Sequence, residues 1–382
     1  MPTTHEAQLR HWTDAVQRHL PTLSRTQASA LSAFSFAATL ARSGSLLRCA
    51  ALVALIEHAP MARLRQRLRE FYLDAPHKRG RARRTVDVWP CFTSLLGWAL
   101  NTLAPKGDIV LALDPTLCRD RLACLAISLV TDETAIPVAW RIVTAQHKGA
   151  WLAPYLRLIE QMAQAVRTSA DAHRRVYVLG DRGLFSKALF EAVVAVGWHP
   201  LFRVPANGLW RTRRRRVHLR QVVAAPGACY AARGVLHKAH PLVCTLVGLW
   251  SERYKEPWLI VTDARPAQAQ AQLYRLRTKI ERVFRTVKSD VFDWEHSRIT
   301  EPERAERMWL VYAVGMLLLA HHGQSAQSSA ASLRSVGLCH SDVWDRLGRR
   351  MSVMRVGQIV LWRLVFGQAP ATTSTPIACN SS

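Results

Sequence analysis

The sequence predicts an α/β protein: a mixed sheet with flanking helices, preceded by a helical N-terminal region and interrupted by a basic, β-rich insertion. Three observations carry that expectation. Between residues 105 and 205, short apolar runs bounded by turn residues alternate with longer helical periods in the order β-β-β-α-β-α-β. Residues 7 to 72 show alanine and leucine at three- and four-residue intervals. Residues 206 to 256 carry ten Arg and Lys against two Glu, with short apolar runs such as CTLVGLW.

Taken in chain order, the N-terminal helical pattern breaks near Pro21, Gly44 and Pro60. HKRGRARR at 77–84, with five cations in eight residues, reads as an exposed basic connector, and FTSLLGWALNTLA as one more helix. These residues form an expected N-terminal region, 1–104. The core opens with three strands, DIVLALDPT, LACLAISLV and AIPVAWRIV. WLAPYLRLIEQMAQAV is a helix by length and period, VYVLGDRG a strand entering a turn, SKALFEAVVAVG a helix and HPLFRVP a strand. This first core part spans 105–205. The insertion, 206–256, contains RTRRRR at 211–216 and is too long for a plain loop. PWLIVTD then opens a second core part, 257–325, whose apolar run WLVYAVGMLLLA is too short to span a bilayer and reads as a buried helix. Residues 326–382 read as a C-terminal helical region and a small-residue tail.

Composition narrows the function. Fifty-two Lys and Arg against 27 Asp and Glu give a net charge of +25 and an isoelectric point near 10.9. The excess is spread through apolar-rich, patterned sequence, so the expected partner is a polyanion, nucleic acid first. An anionic membrane surface or an acidic protein is the competing reading. Eight cysteines without a C-x-x-C pair indicate neither a zinc site nor a disulfide framework. Reduced thiols and an N-terminus without an apolar signal region predict a cytoplasmic protein.

One stretch, YRLRTKIERVFRTVK at 274–288, sets a single acid among six cations. Read as an α-helix, it places Tyr274, Arg277, Glu281 and Lys288 within an arc of about 60° on a wet face, with Lys288 about 21 Å along the axis from Tyr274. A solvated face laced with ion pairs is the ordinary reading of such a pattern. Three other acids adjoin apolar strands: Asp114 in LALDPT, Asp181 in VLGDRG and Asp263 in LIVTD. Each alone reads as a strand-terminal turn residue. Together with Glu281, and without attendant His or Cys, they suit a hard, oxygen-seeking Mg²⁺ or Mn²⁺ ion.

The spacing Y-(2)-R-(3)-E-(6)-K, formed by Tyr274, Arg277, Glu281 and Lys288, resembles the C-terminal motif of bacterial transposases of the insertion sequence four family, within the DDE superfamily. Asp114, followed by Thr116, is similar to that family's first-strand aspartate, and Asp181 to its second; Asp263 has no counterpart and ranks below Glu281. The resemblance covers residues 105–325 and implies an RNase H-like catalytic core. It further implies that Asp114, Asp181 and Glu281 are catalytic and hold two Mg²⁺ or Mn²⁺ ions, and that Tyr274, Arg277 and Lys288 contact DNA near the cleaved end. In the insertion, Arg213, Arg214, Arg215 and Arg216 would hold phosphates, and Trp210 or Trp258 would fill the gap left by an extruded base. The implied partner is double-stranded DNA, both terminal inverted repeats and target, engaged by a homodimer in a synaptic complex, with no membrane. The implied reaction is cut-and-paste transposition through hairpin ends. The alternatives are a catalytically inactive transposase-derived regulator and another RNase H-like metal nuclease.

Overall fold

A computed structural model describes residues 4–79, 83–103, 105, 107–146, 151–237, 240–252, 254–335, 337–344 and 350–367. The centre of the expected basic connector and the expected tail lie outside these residues.

The N-terminal third is helical: α1 (Thr4–His19), α2 (Arg25–Ala41), α3 (Leu46–Glu57), α4 (Met61–Tyr72) and α5 (Cys91–Leu103). Local chemistry starts and stops these helices. Ser24 and Gln27 close a reciprocal capping box at the head of α2, and Arg42 and His58 end α2 and α3 in the left-handed region. The core follows with β1 (Ile109–Cys118), β2 (Leu122–Val130), β3 (Ala135–Thr144), α6 (Leu152–Arg167), β4 (Val176–Gly180), α7 (Lys187–Ala195) and β5 (His199–Arg203). Next come β6 (Leu209–Arg211), β7 (Arg216–His218), β8 (Cys229–Leu236), β9 (Leu242–Leu249) and β10 (Trp258–Thr262). The chain closes with α8 (Thr278–Arg285), α9 (Pro302–Gln327), α10 (Ala330–Ser335) and α11 (Val353–Phe366).

All ten strands join one sheet in the order β3-β2-β1-β4-β5-β10-β9-β8-β6-β7. The β1–β4 and β4–β5 pairs are parallel and the others antiparallel, which makes this a mixed sheet with flanking helices. The strands within residues 206–256, β6 to β9, continue the same sheet. Because β10 pairs with both β5 and β9, it stitches β6 to β9 onto the core sheet. The two ends of the sheet differ in cover: every residue of β2 is buried, whereas β8 alternates between exposed and half-buried positions.

Helix α9 is buried along most of its 26 residues. Its Glu306 carboxylate accepts the Ile142 backbone N–H at 2.9 Å, and its Glu306 carbonyl accepts the Trp140 indole N–H at 3.1 Å, which fastens the helix to β3. Among the described residues, no single helix is long and apolar enough to cross a membrane.

The stretch expected as one α-helix over 274–288 is instead three kinds of helix end to end. Ala271–Arg277 is a 3₁₀ turn, Thr278–Arg285 is α, and Thr286–Asp290 is π-helical. The π turn arises because the Thr286 carbonyl accepts from the N–H groups of both Val291 and Phe292, at 3.0 and 3.1 Å. The expected wet face is also corrected, since Tyr274 is buried and Arg277 nearly so.

Candidate active site

Parallel pairing brings two of the strand-end acids together. Leu113 on β1 lies opposite Gly180 on β4, so Asp114 and Asp181, each the next residue, follow the last parallel-paired position at the same height. Gly180 is required by close packing: a Cβ there would come within 2.8 Å of the Phe202 ring on β5. The pair thus sits just past the carboxyl end of the parallel β1–β4 pairing, the edge at which open α/β sheets usually place their ligands, although β1 itself runs on to Cys118 against β2, which corrects the expected strand-terminal position of Asp114.

The 3₁₀ turn supplies the groups that meet them. Residues three apart eclipse one another in a 3₁₀ helix, and Tyr274 and Arg277 are three apart. The Tyr274 hydroxyl donates to Asp181 Oδ1 at 3.3 Å. Arg277 Nη2 lies 2.9 Å from Asp114 Oδ1 and 3.6 Å from Asp181 Oδ2, so one guanidinium nitrogen bridges both carboxylates.

The site is electrostatically unsettled. Burial pushes the Asp114 carboxyl up from 3.8 to about 6; Arg277 opposes the rise, and the charges of Asp181 and Glu281 add to it. Among the described residues, neither the buried Nε of Arg277 nor the hydroxyl of Tyr155 on α6 has a hydrogen-bond partner. Burial, with the charge of Asp114 adding to it, pushes the Tyr155 phenol well up. Tyr155 escaped the sequence reading because it sits on the apolar face of α6, where nothing local marks it. Glu281, on α8, is exposed and repels Asp114 without joining the hydrogen-bonded pair. Among the described residues, no three His, Cys, Asp or Glu side chains are gathered closely enough to hold a metal ion. The donor set is nonetheless all oxygen, and the space between the two aspartates already holds a positive charge, that of Arg277. Asp114 and Asp181 therefore fit a hard divalent cation in donor chemistry, and Glu281 would have to move toward them to complete the set.

The other sequence candidates divide. Lys288 falls in the π turn and pairs with Glu295 at 3.6 Å, away from the aspartates. Trp258 is half-buried, its ring 5.3 Å from Tyr274 and 4.9 Å from the exposed Tyr254. Trp210 is fully buried and donates to the Tyr230 hydroxyl at 2.8 Å. It is a core side chain here, seated where Gly234 leaves room for its ring. Arg213, Arg214, Arg215 and Arg216 are exposed around the β6–β7 turn, with the Arg215 guanidinium 5.7 Å from the Tyr230 ring centre. Asp263 accepts from His199 at 3.0 Å; His199 begins β5 and lies opposite Tyr177, which puts Asp263 toward the other edge of the sheet from Asp181. Beside the aspartates, Glu256 binds Arg203 at 2.6 Å and Arg182 at 3.0 Å, an ion cluster that the sequence did not announce.

The sequence profile of the transposase DDE domain matches residues 123–318, just over half of the chain. The chain belongs to the DDE transposase domain family. The matched span starts within β2 and includes Asp181, Tyr274, Arg277, Glu281 and Lys288; Asp114 precedes it by nine residues. Membership makes this chain a transposase, from a family that acts on DNA and generally uses divalent metal ions. No curated protein matches the sequence.

Proposed function

We propose that the chain is an insertion-sequence transposase of the insertion sequence four type. On this reading it cleaves at the inverted-repeat ends of its own element and joins them to target DNA, by cut-and-paste through hairpin ends. The observation that carries the reading is the bridge from Arg277, within Y-(2)-R-(3)-E-(6)-K, to Asp114 and Asp181 on neighbouring parallel strands.

Asp114, Asp181 and Glu281 would hold the metal, and two divalent ions there would clamp the attacking and leaving oxygens of an in-line phosphodiester displacement. Arg277 must release Asp114 and Asp181 before their oxygens can take a cation, and a DNA phosphate is the anion that offers its guanidinium a replacement. Tyr274 orients Asp181 through its hydroxyl. Trp258, packed against Tyr274, and Tyr254 beyond it form an aromatic wall and would be the side chains to stack on an extruded base. Arg213 to Arg216 hold the phosphates of the same DNA end, and Lys288 joins them once DNA replaces Glu295 as its partner. The division into an N-terminal DNA-binding region, a split core and an insertion at 206–256 belongs to this reading, as does a homodimer that brings two ends together.

The test is incubation of the protein with duplex carrying element ends and Mg²⁺. Site-specific nicks followed by hairpin ends are expected. Asp114→Asn and Asp181→Asn should each lower cleavage by at least about 10³-fold, roughly 4 kcal/mol of transition-state stabilisation, while leaving DNA binding. Binding without cleavage by the parent protein would instead favour an inactive DNA-binding regulator. The observation on that side is the arginine that already satisfies both aspartates.

A further inference from the structure

A cleft of about 420 Å³ lies between α8 and the start of α11, on a different face of α8 from Glu281. At 100° per residue, Arg285, Arg282 and Lys279 stand about 40°, 100° and 160° around the α8 axis from Glu281, so a row of cations leads away from the carboxylate into the cleft. Arg350 and Arg355 contribute from the opposite wall. Five cations thus face two acids, Glu133 and Asp290, across the lining.

These cations are poorly served by the protein itself. The side chains of Lys279, Arg282 and Arg285 make no hydrogen bond or ion pair among the described residues, and the Arg355 guanidinium reaches, among those residues, only its own helix, through Gln358 at 3.2 Å. Burial, with neighbouring arginines adding to it, lowers both Lys279 and Arg355 even though Asp132 and Glu133 oppose the shift at Lys279 and Asp290 opposes it at Arg355. Holding like charges together in a folded chain costs free energy unless an anion settles among them. The described lining contains no aromatic side chain, which suits phosphates rather than stacked bases.

We propose that this cleft seats a second track of DNA backbone, separate from the one that meets Tyr274 and Arg277. The row from Glu281 to Lys279 makes the two tracks continuous around α8, so duplex leaving the carboxylate site runs on into the cleft. The inference rests on the DNA-cleaving reading for its partner and adds a surface that no motif marks.

The experiment measures affinity for a forty-base-pair duplex carrying an element end, between about 50 and 200 mM salt. Three proteins are compared: the parent, Arg282→Gln with Arg350→Gln, and a matched pair on α6, Arg157→Gln with Arg167→Gln, that removes the same charge elsewhere. Each phosphate contact contributes about 0.9 to the slope of log affinity against log salt. The cleft pair should flatten that slope by about 2 and weaken binding about 10- to 100-fold at the lowest salt, while the α6 pair leaves the slope in place. Melting curves for all three establish that the variants fold. An unchanged slope in the cleft pair, or equal flattening by both pairs, overturns the proposal. So does competition by polyglutamate that the cleft pair abolishes while its DNA slope stays unchanged, since that assigns the cleft to an acidic protein. End cleavage by the parent is scored separately: a flattened slope without cleavage strikes the nuclease reading, and cleavage with an unchanged slope strikes the cleft alone.

Discussion

Two of the places where the chain sets aspartate against arginine, one around Asp74 and one around Asp114, behave in opposite ways. At the end of α4, Asp74 receives Arg307 Nη2 at 2.6 Å and Arg304 Nε at 3.3 Å. Arg307 spends its remaining donors on the Tyr72 and Val86 carbonyls at 2.5 and 3.2 Å. Those bonds, Arg307 first, hold the Asp74 carboxyl below its usual value. Within β1, Asp114 also has an arginine, yet its carboxyl is pushed up to about 6, chiefly by burial. Arg277 there divides one nitrogen between two acids, and its buried Nε has no partner among the described residues. The first arrangement has matched donors to acceptors and ties α4 to α9. The second has crowded three acids near one cation, an arrangement that costs stability and therefore marks a place kept for something other than stability.

The comparison sharpens first through pH. A carboxyl whose folded value is raised costs nothing while both states are protonated, below pH 3.8, and its cost grows as pH rises through about 6. Asp114→Asn should therefore stabilise the protein above pH 6 by up to about 3 kcal/mol, a figure that already includes the pairing with Arg277, and the gain should fall away between pH 6 and about 4. Denaturant melts at pH 7.5 and pH 4 read this directly; a destabilised variant at pH 7.5 would remove the contrast.

Asp74→Asn should do the reverse, because a depressed carboxyl contributes stability above its unfolded value, and that contribution fades only as pH drops below 3.8. The expected loss at neutral pH is about 1–2 kcal/mol, held to that range because Asp74 is one-third exposed. End cleavage at saturating DNA, scored on the same variant, should stay within a few-fold of the parent. A large catalytic defect in a folded Asp74→Asn protein would mean that the two clusters are not separate in role.

The smallest effect concerns the bridge. With Arg277→Gln the two aspartates lose the cation they share, and free protein should bind Mn²⁺ more tightly, by about tenfold, or 1.4 kcal/mol. Calorimetry or the Mn²⁺ electron-spin signal in the absence of DNA reads the change without any turnover. Weaker Mn²⁺ binding would make Arg277 a support of the metal site and not its competitor.

Much of the architecture was legible because it depends on local pattern. Helical spacing before Tyr72, the three opening strands, the crossover helices and the breaks near Pro21, Gly44 and Pro60 all follow from periodicity and from turn chemistry within a few residues. Asp114 and Asp181 were visible for a similar reason, as acids at the ends of short apolar runs. Their adjacency was not visible, because it comes from parallel pairing in the register Leu113 to Gly180, made across a crossover helix by residues more than sixty positions apart. Trp210 was misread on the same account: its neighbours in sequence are arginines, but its neighbours in space are Tyr230 and Gly234.

The helix of residues 271–290 divides the two kinds of information most clearly. Composition alone determined that within 274–288 one acid, six cations and a phenol would share a helical segment with an apolar face turned to the core. Only the tertiary structure decided how it winds: 3₁₀ where Tyr274 and Arg277 must reach the aspartates together, and π where Thr286 shares its carbonyl between Val291 and Phe292. The physical reason is that the three windings differ little in local free energy, so contacts with strands far away in sequence choose among them.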